Sequence, residues 1–387
     1  MPNNSKTQSE LANIAENADL NFKELRIVVF SDAFRHRNGV GAYYCDLLES
    51  FKGKIGESEL ICPGPAPAGS HQPRQGLSIP LPGDNTQRLC LPGVIKARRV
   101  MRKIKPHVVI LAAPGPYGLL GLIMAKIYKA KLCIGYHTQY DKLVSLYWNR
   151  VFGPMAERYL RGLDKWMFKR ARVVLTNSRP METAAWELGS KDVRLVGTPV
   201  EPRMLAPVKA PPDKQFGPVL FVGRLAGEKN LDVFLEAAER LPQTKFIIAG
   251  DGPLADEITA AAENLKNLDY VGWVNREDLV KVLDNSEMLV LPSTIESFGT
   301  VAIEAMARAR MVMVSEHCGI TEWPELSPGV EVLYDGEHLA DALQKYIDMP
   351  LAERHRKRLY ARTHCEKFAM ETIANWQDTL LEVARQG

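Results

Sequence analysis

The chain has 387 residues, too many for one ordinary hydrophobic core, which predicts two domains. Its composition, with 46% hydrophobic and 25% charged residues, is that of a globular protein. Its six cysteines are scattered without a Cys-x-x-Cys pair, which disfavours a disulfide framework or zinc cluster and favours reduced thiols in a cytoplasmic protein. The net charge of +3 hides an asymmetry between the two halves of the chain. Residues 1–210 carry 31 Lys+Arg and 17 Asp+Glu, whereas residues 211–387 carry 18 Lys+Arg and 29 Asp+Glu. The basic first half should therefore attract either acidic partners or the acidic second half of the same chain.

The chain begins with a polar segment that precedes the first predicted element. Residues 1–22 have neither the basic start nor the apolar core of a signal peptide, so we expect a disordered tail. No apolar run approaches the ~20 residues that a membrane span needs. Strands and helices then alternate through residues 23–205. The predicted strands are 25–30, 107–113, 131–136 and 172–176, and the predicted helices are 39–51, 117–129, 154–170 and 180–188.

These strands are short and almost wholly apolar, which predicts a parallel sheet covered on both faces, a doubly wound α/β domain. Residues 62–93 are rich in proline and glycine and predict irregular surface structure. Prolines cluster again from Pro199 to Pro212, and because proline stiffens the chain we place an interdomain linker at residues 206–217.

The alternation restarts and predicts a second α/β domain over residues 218–368. Its predicted strands are 219–222, 245–249, 269–271, 288–291 and 311–314, and its helices are 230–241, 254–264, 276–283 and 301–309. Apolar residues near helical spacing predict an amphipathic helix at 371–385. Open parallel sheets bind ligands outside the carboxyl ends of their strands, so we expect a cleft between the two sets of strand ends.

Two carboxylates eight residues apart surround one of these strand ends. Glu296 precedes the turn at Gly299, and Glu304 lies in the helix that follows. The free amides and dipole of a helix N-terminus favour a phosphate. Carboxylates repel phosphate but accept hydrogen bonds from hydroxyls, so the pair predicts a ligand that offers a phosphate together with a sugar or ribose.

Three further segments lie at predicted strand ends. Arg224 and Lys229 flank a glycine-bearing loop that opens a helix, where two cations and free amides could bind a diphosphate. Gly39 and Gly41 form a turn that permits close approach of a ligand, although a structural turn is the favoured explanation of this segment taken alone. Gly250 lies in a similar turn. His137 follows the strand 131–136 and could hydrogen-bond a hydroxyl or a phosphate.

Together these segments resemble glycosyltransferase family 4, over nearly the whole second half and more loosely over the first. The segments that carry the resemblance are 223–225 with 229–230, 250–253, 271–274 and 296–306. The resemblance implies the GT-B fold, in which two Rossmann-like domains face a cleft and a terminal helix, here within 369–387, crosses back to the first domain. It also implies transfer of a sugar from a nucleotide sugar with retention of the anomeric configuration.

The resemblance implies a role for each candidate residue. Arg224 and Lys229 match the cations that neutralise the donor diphosphate. Glu304 matches the glutamate that holds the ribose hydroxyls, and Glu296 the one that contacts the transferred sugar. His137 matches the histidine that faces that sugar. The other positions that match the donor site are Gly39, Gly41, Gly250, Val274, Ser297, Phe298, Gly299 and Thr300.

Breaking the sugar–phosphate bond builds negative charge on the departing diphosphate, which Arg224, Lys229 and the helix amides would stabilise. No Asp-x-Asp motif occurs in the sequence, so we expect these cations to replace a divalent metal, and we expect no other cofactor. Retention requires either a covalent carboxylate intermediate or attack on the same face, and the resemblance favours same-face attack.

The acceptor is the least readable part of the sequence. Residues 94–105 predict an amphipathic basic helix that could lie on an anionic membrane surface or simply pack on the sheet with a solvated basic face. Segments 79–82 and 137–141 are similar to family members that glycosylate lipids, which favours a lipid or lipid-linked acceptor at the cytoplasmic membrane face. The cations of the predicted helix are Lys96, Arg98, Arg99, Arg102, Lys103 and Lys105.

Other functions stay open at this point. A soluble or polysaccharide acceptor, or a non-catalytic partner subunit with the same fold, would fit much of the pattern. A sugar-nucleotide epimerase should lack the pair Glu296 and Glu304. A nucleic-acid binder needs a basic groove with interleaved aromatic residues, which the first half shows only in part, so we expect no nucleic acid.

Overall fold

The structure is a computed structural model that describes residues 20–35, 39–64, 78–81, 84–112, 114–138, 152–208 and 216–386. Strands and helices alternate through its first half. The strands are β1 (Arg26–Phe30), β2 (Glu57–Ile61), β3 (Ser78–Leu81), β4 (Asp84–Cys90), β5 (Val108–Leu111), β6 (Lys131–Tyr136), β7 (Val173–Thr176) and β8 (Val193–Leu195). The helices are α1 (Gly39–Phe51), α2 (Val94–Ile104), α3 (Pro116–Ile127), α4 (Phe152–Phe168) and α5 (Arg179–Glu187).

Six of these strands form one parallel sheet in the order β2-β1-β5-β6-β7-β8. The register sets Val29 of β1 beside Leu60 of β2 and Ile110 of β5. All three side chains are buried. A parallel sheet with helices on both faces is buried on both sides, which is why its strands are almost wholly apolar in sequence.

Strands β3 and β4 form a separate antiparallel hairpin inside residues 62–93. The prediction of irregular structure was therefore wrong for residues 78–81 and 84–90. Pro80 made this stretch resemble a loop, but it lies in a strand that pairs on one side only, where a missing amide donor is tolerated. Residues 65–77 lie outside the described part of the chain.

The second half forms a second α/β unit. Its strands are β9 (Val219–Val222), β10 (Phe246–Ala249), β11 (Leu268–Tyr270), β12 (Met288–Leu291), β13 (Met311–Ser315) and β14 (Glu331–Leu333). Its helices are α6 (Leu231–Arg240), α7 (Ala255–Asn264), α8 (Arg276–Asp284), α9 (Thr300–Ala307), α10 (Leu339–Ile347) and α11 (Leu351–Arg385). The strands form a parallel sheet in the order β11-β10-β9-β12-β13-β14. The two predicted doubly wound units are confirmed, whereas the strands β2, β8 and β14 and the helix α10 were not predicted.

Helix α11 is continuous over 35 residues, although the predicted helix began only at residue 371. Its first part is anchored in the second half, where the buried guanidinium group of Arg358 contacts Glu287. Its last part packs on the first half, where Nε1 of the buried Trp376 donates to the hydroxyl of Tyr43 at 3.0 Å. The predicted crossing of the terminal helix back to the first domain is thus confirmed.

The predicted tail and linker fall mostly on residues 1–19 and 209–215, which lie outside the described ranges. Leu20 does not belong to a disordered tail, because it is buried and its carbonyl accepts hydrogen bonds from Arg385 at 2.9 and 2.7 Å. The domain limits 23–205 and 218–368 stay predictions. Among the described helices, none is both long enough and apolar enough to cross a membrane.

Candidate functional site

The two halves of the chain meet where α1 and α9 begin. A Cβ on Gly39 would lie 3.9 Å from Oγ1 of Thr300. In a second contact, Nε1 of Trp323 donates to the carbonyl of Asn177 at 2.9 Å. Gly39 and Asn177 follow strands β1 and β7, and Thr300 follows β12. Strand ends of the two sheets therefore face each other, as a cleft for a shared ligand requires.

Lys229 and Glu296 form an ion pair on the second sheet. Nζ lies 2.5 Å from Oε2, and the side chains are 15% and 20% exposed. Lys229 follows β9 and Glu296 follows β12, which are neighbouring strands. Burial acts to lower the pKa of Lys229, but the charge and hydrogen bond of Glu296 outweigh it and the pKa is raised. Lys229 is therefore a cation at neutral pH.

Arg224 is held beside the same loop by Glu228, whose side chain is 6% exposed and lies 3.1 Å from Nη2. The carbonyl of Glu228 accepts the amide of Thr294 at 2.9 Å, which ties this loop to the loop that carries Glu296. Glu228 was missed in the sequence, where it looks like an ordinary surface residue of a helical turn. It gives the cationic loop a fixed orientation.

The turn that leads into α9 has the form expected of an anion site. Gly299 is the N-cap residue and has φ +86°, a conformation that favours glycine. A Cβ there would lie 2.8 Å from Sγ of Cys318. The amide of Gly319 donates to the carbonyl of Glu296 at 3.0 Å and braces the loop from the other side. The first amides of α9 lack partners within the helix and can bind an anion.

The three residues around Gly299 differ in what they can offer. Ser297 and Thr300 are half-buried. The side chain of Phe298 is buried and stacks on Phe368 with ring centroids 6.0 Å apart. Phe298 can therefore contact a donor through its backbone, while its ring belongs to the core.

Glu304 lies deeper than the sequence suggested. It is 2% exposed, and Oε1 accepts a hydrogen bond from Nη1 of Arg276. Burial raises the pKa of Glu304, with Arg276 opposing the shift and Glu201 adding to it. The same arginine contacts Glu201 at 2.9 Å and Asp46 at 2.8 Å. Arg276 and Asp46 were missed because no local pattern relates residues 230 positions apart.

His137 is buried in the first half, and its described contacts are made there. Its Nε2 lies 3.0 Å from the hydroxyl of Tyr44, and its ring stacks on Tyr43 at 4.1 Å between centroids. Burial lowers the pKa of His137 to about 3, partly offset by the side chain of Asn177. Any contact of His137 with a substrate would therefore be made by a neutral imidazole.

Two of the remaining predicted positions have clear structural roles. Gly250 has φ +154°, and a Cβ there would overlap the carbonyl of Gly223, so this turn packs directly on the loop of Arg224. Val274 is half-buried and packs against the core of the second half, next to Trp273, which is 53% exposed. Gly41 is buried in the first turn of α1.

Among the described residues, Glu316, His317 and Asp335 could hold a metal ion, since their ligand atoms lie within 4.8 Å of one another. All three are exposed and already bonded to each other: Nε2 of His317 lies 3.1 Å from Asp335, and the amide of Asp335 donates to Glu316 at 2.7 Å. Glu316 and His317 directly precede Cys318, which forms a β-bridge with Glu296, but the three side chains point to no ligand and we assign the group no role.

Helix α2 has the amphipathic character predicted for it. Its buried residues are Ala97, Val100, Met101 and Ile104. Five of its six predicted cations are exposed and Lys96 is half-buried. At its start Ile95 is 71% exposed and Val94 is 54% exposed. An apolar end thus adjoins a basic face.

Two family models match the chain. "Glycosyltransferase Family 4" matches residues 37–203 and "Glycosyl transferases group 1" matches residues 207–364. An alpha-D-kanosaminyltransferase of Streptomyces kanamyceticus is 32% identical over 35% of this chain and 38% of its own length. A GDP-mannose-dependent alpha-(1-6)-phosphatidylinositol dimannoside mannosyltransferase of Mycobacterium tuberculosis is 29% identical over 39% of this chain and 40% of its own length. The chain thus spans about two fifths of the length of these curated relatives.

Solved structures match over most of the chain. Sucrose-phosphate synthase from Thermosynechococcus elongatus has a TM-score of 0.71 at 19% identity, covering 92% of this chain and 98% of that one. Anabaena Alr3699/HepE, solved in complex with UDP-glucose, has a TM-score of 0.64 at 15% identity, and the match covers 92% of this chain and 98% of that one. Both matches extend over the two parallel sheets, since they cover 92% of this chain. The chain has the GT-B fold, and its two halves match the family 4 and group 1 glycosyltransferase models.

Proposed function

We propose that the protein moves a sugar from a nucleotide-diphosphate sugar to an acceptor hydroxyl, with retention of the anomeric configuration. The observation that carries this proposal is the ion pair of Lys229 and Glu296 beside the free amides of α9. The amides, Lys229 and Arg224 would receive the diphosphate, and Glu296 would accept a hydrogen bond from the transferred sugar. Glu304 would bind the ribose.

The donor in this proposal is a UDP- or GDP-hexose. Two similar proteins support it: one is named for its dependence on GDP-mannose, and another was solved with UDP-glucose. Val274 and its neighbours would line the base pocket. In the first half, Gly39 would let the backbone approach the sugar, and His137 would face it as a neutral hydrogen-bonding group.

Leaving-group stabilisation in this proposal needs no metal. As the sugar–phosphate bond breaks, negative charge grows on the diphosphate, and fixed cations in a partly buried site stabilise it without reorganisation. Lys229 fits this role because its pKa is raised, despite the burial that opposes its charge. The Glu228 contact gives Arg224 a defined position.

Retention would follow from attack on the face that the diphosphate leaves. A double displacement would need a carboxylate nucleophile from the first half. Among the described residues, Asp32 after β1 accepts the amide of Tyr117 at 2.9 Å, and Asp46 on α1 pairs with Arg276 at 2.8 Å, so both carboxylates are engaged. This supports same-face attack.

For the acceptor we propose a lipid or lipid-linked molecule at an anionic membrane surface. The exposed cations of α2, with Ile95 and Val94 exposed beside them, form a surface that suits anionic headgroups and a shallow apolar layer. The mannosyltransferase relative is named for a phosphatidylinositol substrate, which adds support.

The test is nucleotide release from a panel of UDP- and GDP-sugars, with and without membrane extract. We expect release from at least one donor, its loss in Glu296→Ala, and its retention in Asp269→Asn, which changes an exposed ion pair with Lys245 on the same domain. No release from any donor would favour a non-catalytic partner subunit. Equal loss in both variants would refute the site.

A further inference from the structure

We propose that Arg276 is a positioning residue that holds Glu304 at the donor site and ties it to Asp46 of the first half. The inference rests on the proposed contact of Glu304 with the donor ribose. Arg276 itself would touch neither sugar nor diphosphate. It would act by fixing the charge and direction of a carboxylate, and by linking that carboxylate to the approach of the two halves.

One guanidinium group serves three carboxylates. Nε of Arg276 donates to Glu201 at 2.9 Å, Nη2 to Asp46 at 2.8 Å, and Nη1 to Glu304. The planar fork of an arginine matches such carboxylate geometry, which a lysine cannot reproduce. All three edges of the group are therefore used.

The partners come from three separate parts of the fold. Asp46 lies on α1 in the first half, Glu304 on α9 in the second, and Glu201 follows β8 near the crossing between them. Arg276 begins α8, where Asn275 caps the helix by accepting the amides of Glu277 and Asp278 at 2.9 Å. The cap fixes the start of α8 and so the base of the arginine side chain.

The cluster is buried, so its charges depend strongly on one another. The side chains of Arg276, Asp46 and Glu304 are 11%, 2% and 3% exposed. Arg203 supplies a second cation to Glu201 at 2.7 Å. Within the described residues, Arg276 is the cation that pairs with both Asp46 and Glu304. Burial raises the pKa of Asp46 to about 8 and also raises that of Glu304, and Arg276 opposes both shifts, so without it both carboxyl groups would hold a proton more readily.

The charge of Glu304 matters for the ribose. An ionised carboxylate accepts hydrogen bonds on both oxygens, whereas the protonated acid uses one of them as a donor. Arg276 contacts Oε1, so Oε2 is the oxygen to which a ribose hydroxyl would donate. Arg276 therefore favours the ionised form of Glu304, which accepts hydrogen bonds from the ribose hydroxyls.

Asp46 has a different effect. Asp46 lies on the first half, so movement of the two halves relative to each other changes its contact with Arg276. The contact between Arg276 and Glu304 lies within the second half and is not changed by that movement. Nucleotide binding, which uses the second half, should be nearly independent of Asp46. Sugar transfer, which needs both halves together, should depend on it.

The experiment measures the Kd for UDP and for GDP by calorimetry in four proteins: wild type, Glu304→Gln, Arg276→Gln and the double variant. We expect each single variant to weaken binding of the preferred nucleotide by about tenfold, as for loss of one charge-assisted hydrogen bond. The double variant should be no weaker than either single one, because both changes remove the same contact. Arg276→Lys should restore little, since it lacks the fork.

A buried arginine elsewhere in the second half serves as the control for a purely structural loss. Arg308 contacts Asp284 at 2.6 Å and is 4% exposed, so Arg308→Gln should lower the melting temperature without changing the Kd. Asp46→Asn should leave the nucleotide Kd within about twofold while lowering kcat for sugar transfer by about tenfold.

The outcomes separate this inference from the proposed function. If neither nucleotide binds the wild type, or if Glu304→Gln binds as the wild type does, the donor assignment of Glu304 fails and the inference with it. If Glu304→Gln weakens binding but Arg276→Gln does not, or if their effects add, the inference alone is overturned. An equal change of Kd in Arg308→Gln would also overturn it, since Arg276 would then act only through stability.

Discussion

Nζ of Lys229 lies 2.5 Å from Oε2 of Glu296, so a single ion pair joins the proposed phosphate site to the proposed sugar site. The pair spans loops that follow neighbouring strands, and the amide of Gly319 braces it through the carbonyl of Glu296. A cation fixed in this way needs no reorganisation when charge develops on a leaving group. The carboxylate, in turn, is directed by the cation.

Loss of the carboxylate should therefore affect turnover more than donor affinity. We expect Glu296→Gln to lower kcat by about a hundredfold with a smaller change in the donor KM, because the contact gains strength as charge develops. Steady-state kinetics of nucleotide release measure both constants. Asp269→Asn removes an exposed ion pair of the same length, 2.5 Å, with Lys245, and it should leave kcat and KM unchanged. A rise in KM with kcat intact would mean that Glu296 binds the donor equally in the ground state and the transition state.

His137 should make stability depend on pH. Burial lowers its pKa from 6.5 to about 3, so between these values the unfolded chain binds a proton that the folded protein does not. Stability should therefore fall as pH falls through this window, by up to about 1.4 kcal/mol per pH unit from this residue. His137→Gln should flatten the slope by that amount.

Urea unfolding at several pH values between 6.5 and 4 measures the slope. The control is His338→Gln, whose side chain is 61% exposed beside Glu236. An unchanged slope in His137→Gln would mean that the imidazole is protonated in the folded protein.

Gly299 should be intolerant of a side chain for two separable reasons. Its φ of +86° costs an alanine about 1 kcal/mol, and the 2.8 Å approach to Cys318 adds overpacking of about 1–3 kcal/mol. Gly336 has φ +83°, and a Cβ there would have no atom within 4 Å, so Gly336→Ala should show the first cost alone. Denaturant unfolding compares the two, and equal losses would show that the contact with Cys318 is relaxed easily.

The basic face of α2 should bind anionic vesicles. We expect the triple variant Arg98→Glu, Arg99→Glu, Arg102→Glu to lose sedimentation with phosphatidylglycerol vesicles, since each cation near such a surface contributes about 1 kcal/mol. Raised salt should weaken wild-type binding in the same way. Absence of the wild type from vesicles even at low salt would contradict a membrane acceptor.

The matched control reverses three exposed cations of the second half. Lys281, Arg356 and Lys367 are 73%, 78% and 67% exposed. Their change to glutamate alters net charge as much as the α2 variant does. Vesicle binding should survive, and its loss would indicate a general charge effect in place of a defined surface.

The sequence predicted the sheets well and the contacts between distant residues poorly. Strands β9 and β12 were predicted to the residue, because a strand buried on both faces is a continuous apolar run between turn residues. Helix α11 was predicted only from residue 371, since the buried face of its first turns carries Arg354 and Arg358, which pair with Glu287 and interrupt the apolar stripe in sequence. The Lys229–Glu296 neighbourhood followed from strand ends, whereas Arg276 with Asp46 left no local signal.

The most direct measurement is the rate of nucleotide release from the preferred donor, in a chelator, for wild type, Lys229→Gln and Lys245→Gln. We expect the chelator to leave the wild-type rate unchanged, Lys229→Gln to lower kcat by about a hundredfold, and Lys245→Gln to match the wild type. Loss of wild-type activity in the chelator, with equal rates in the two variants, would contradict stabilisation of the leaving group by Lys229.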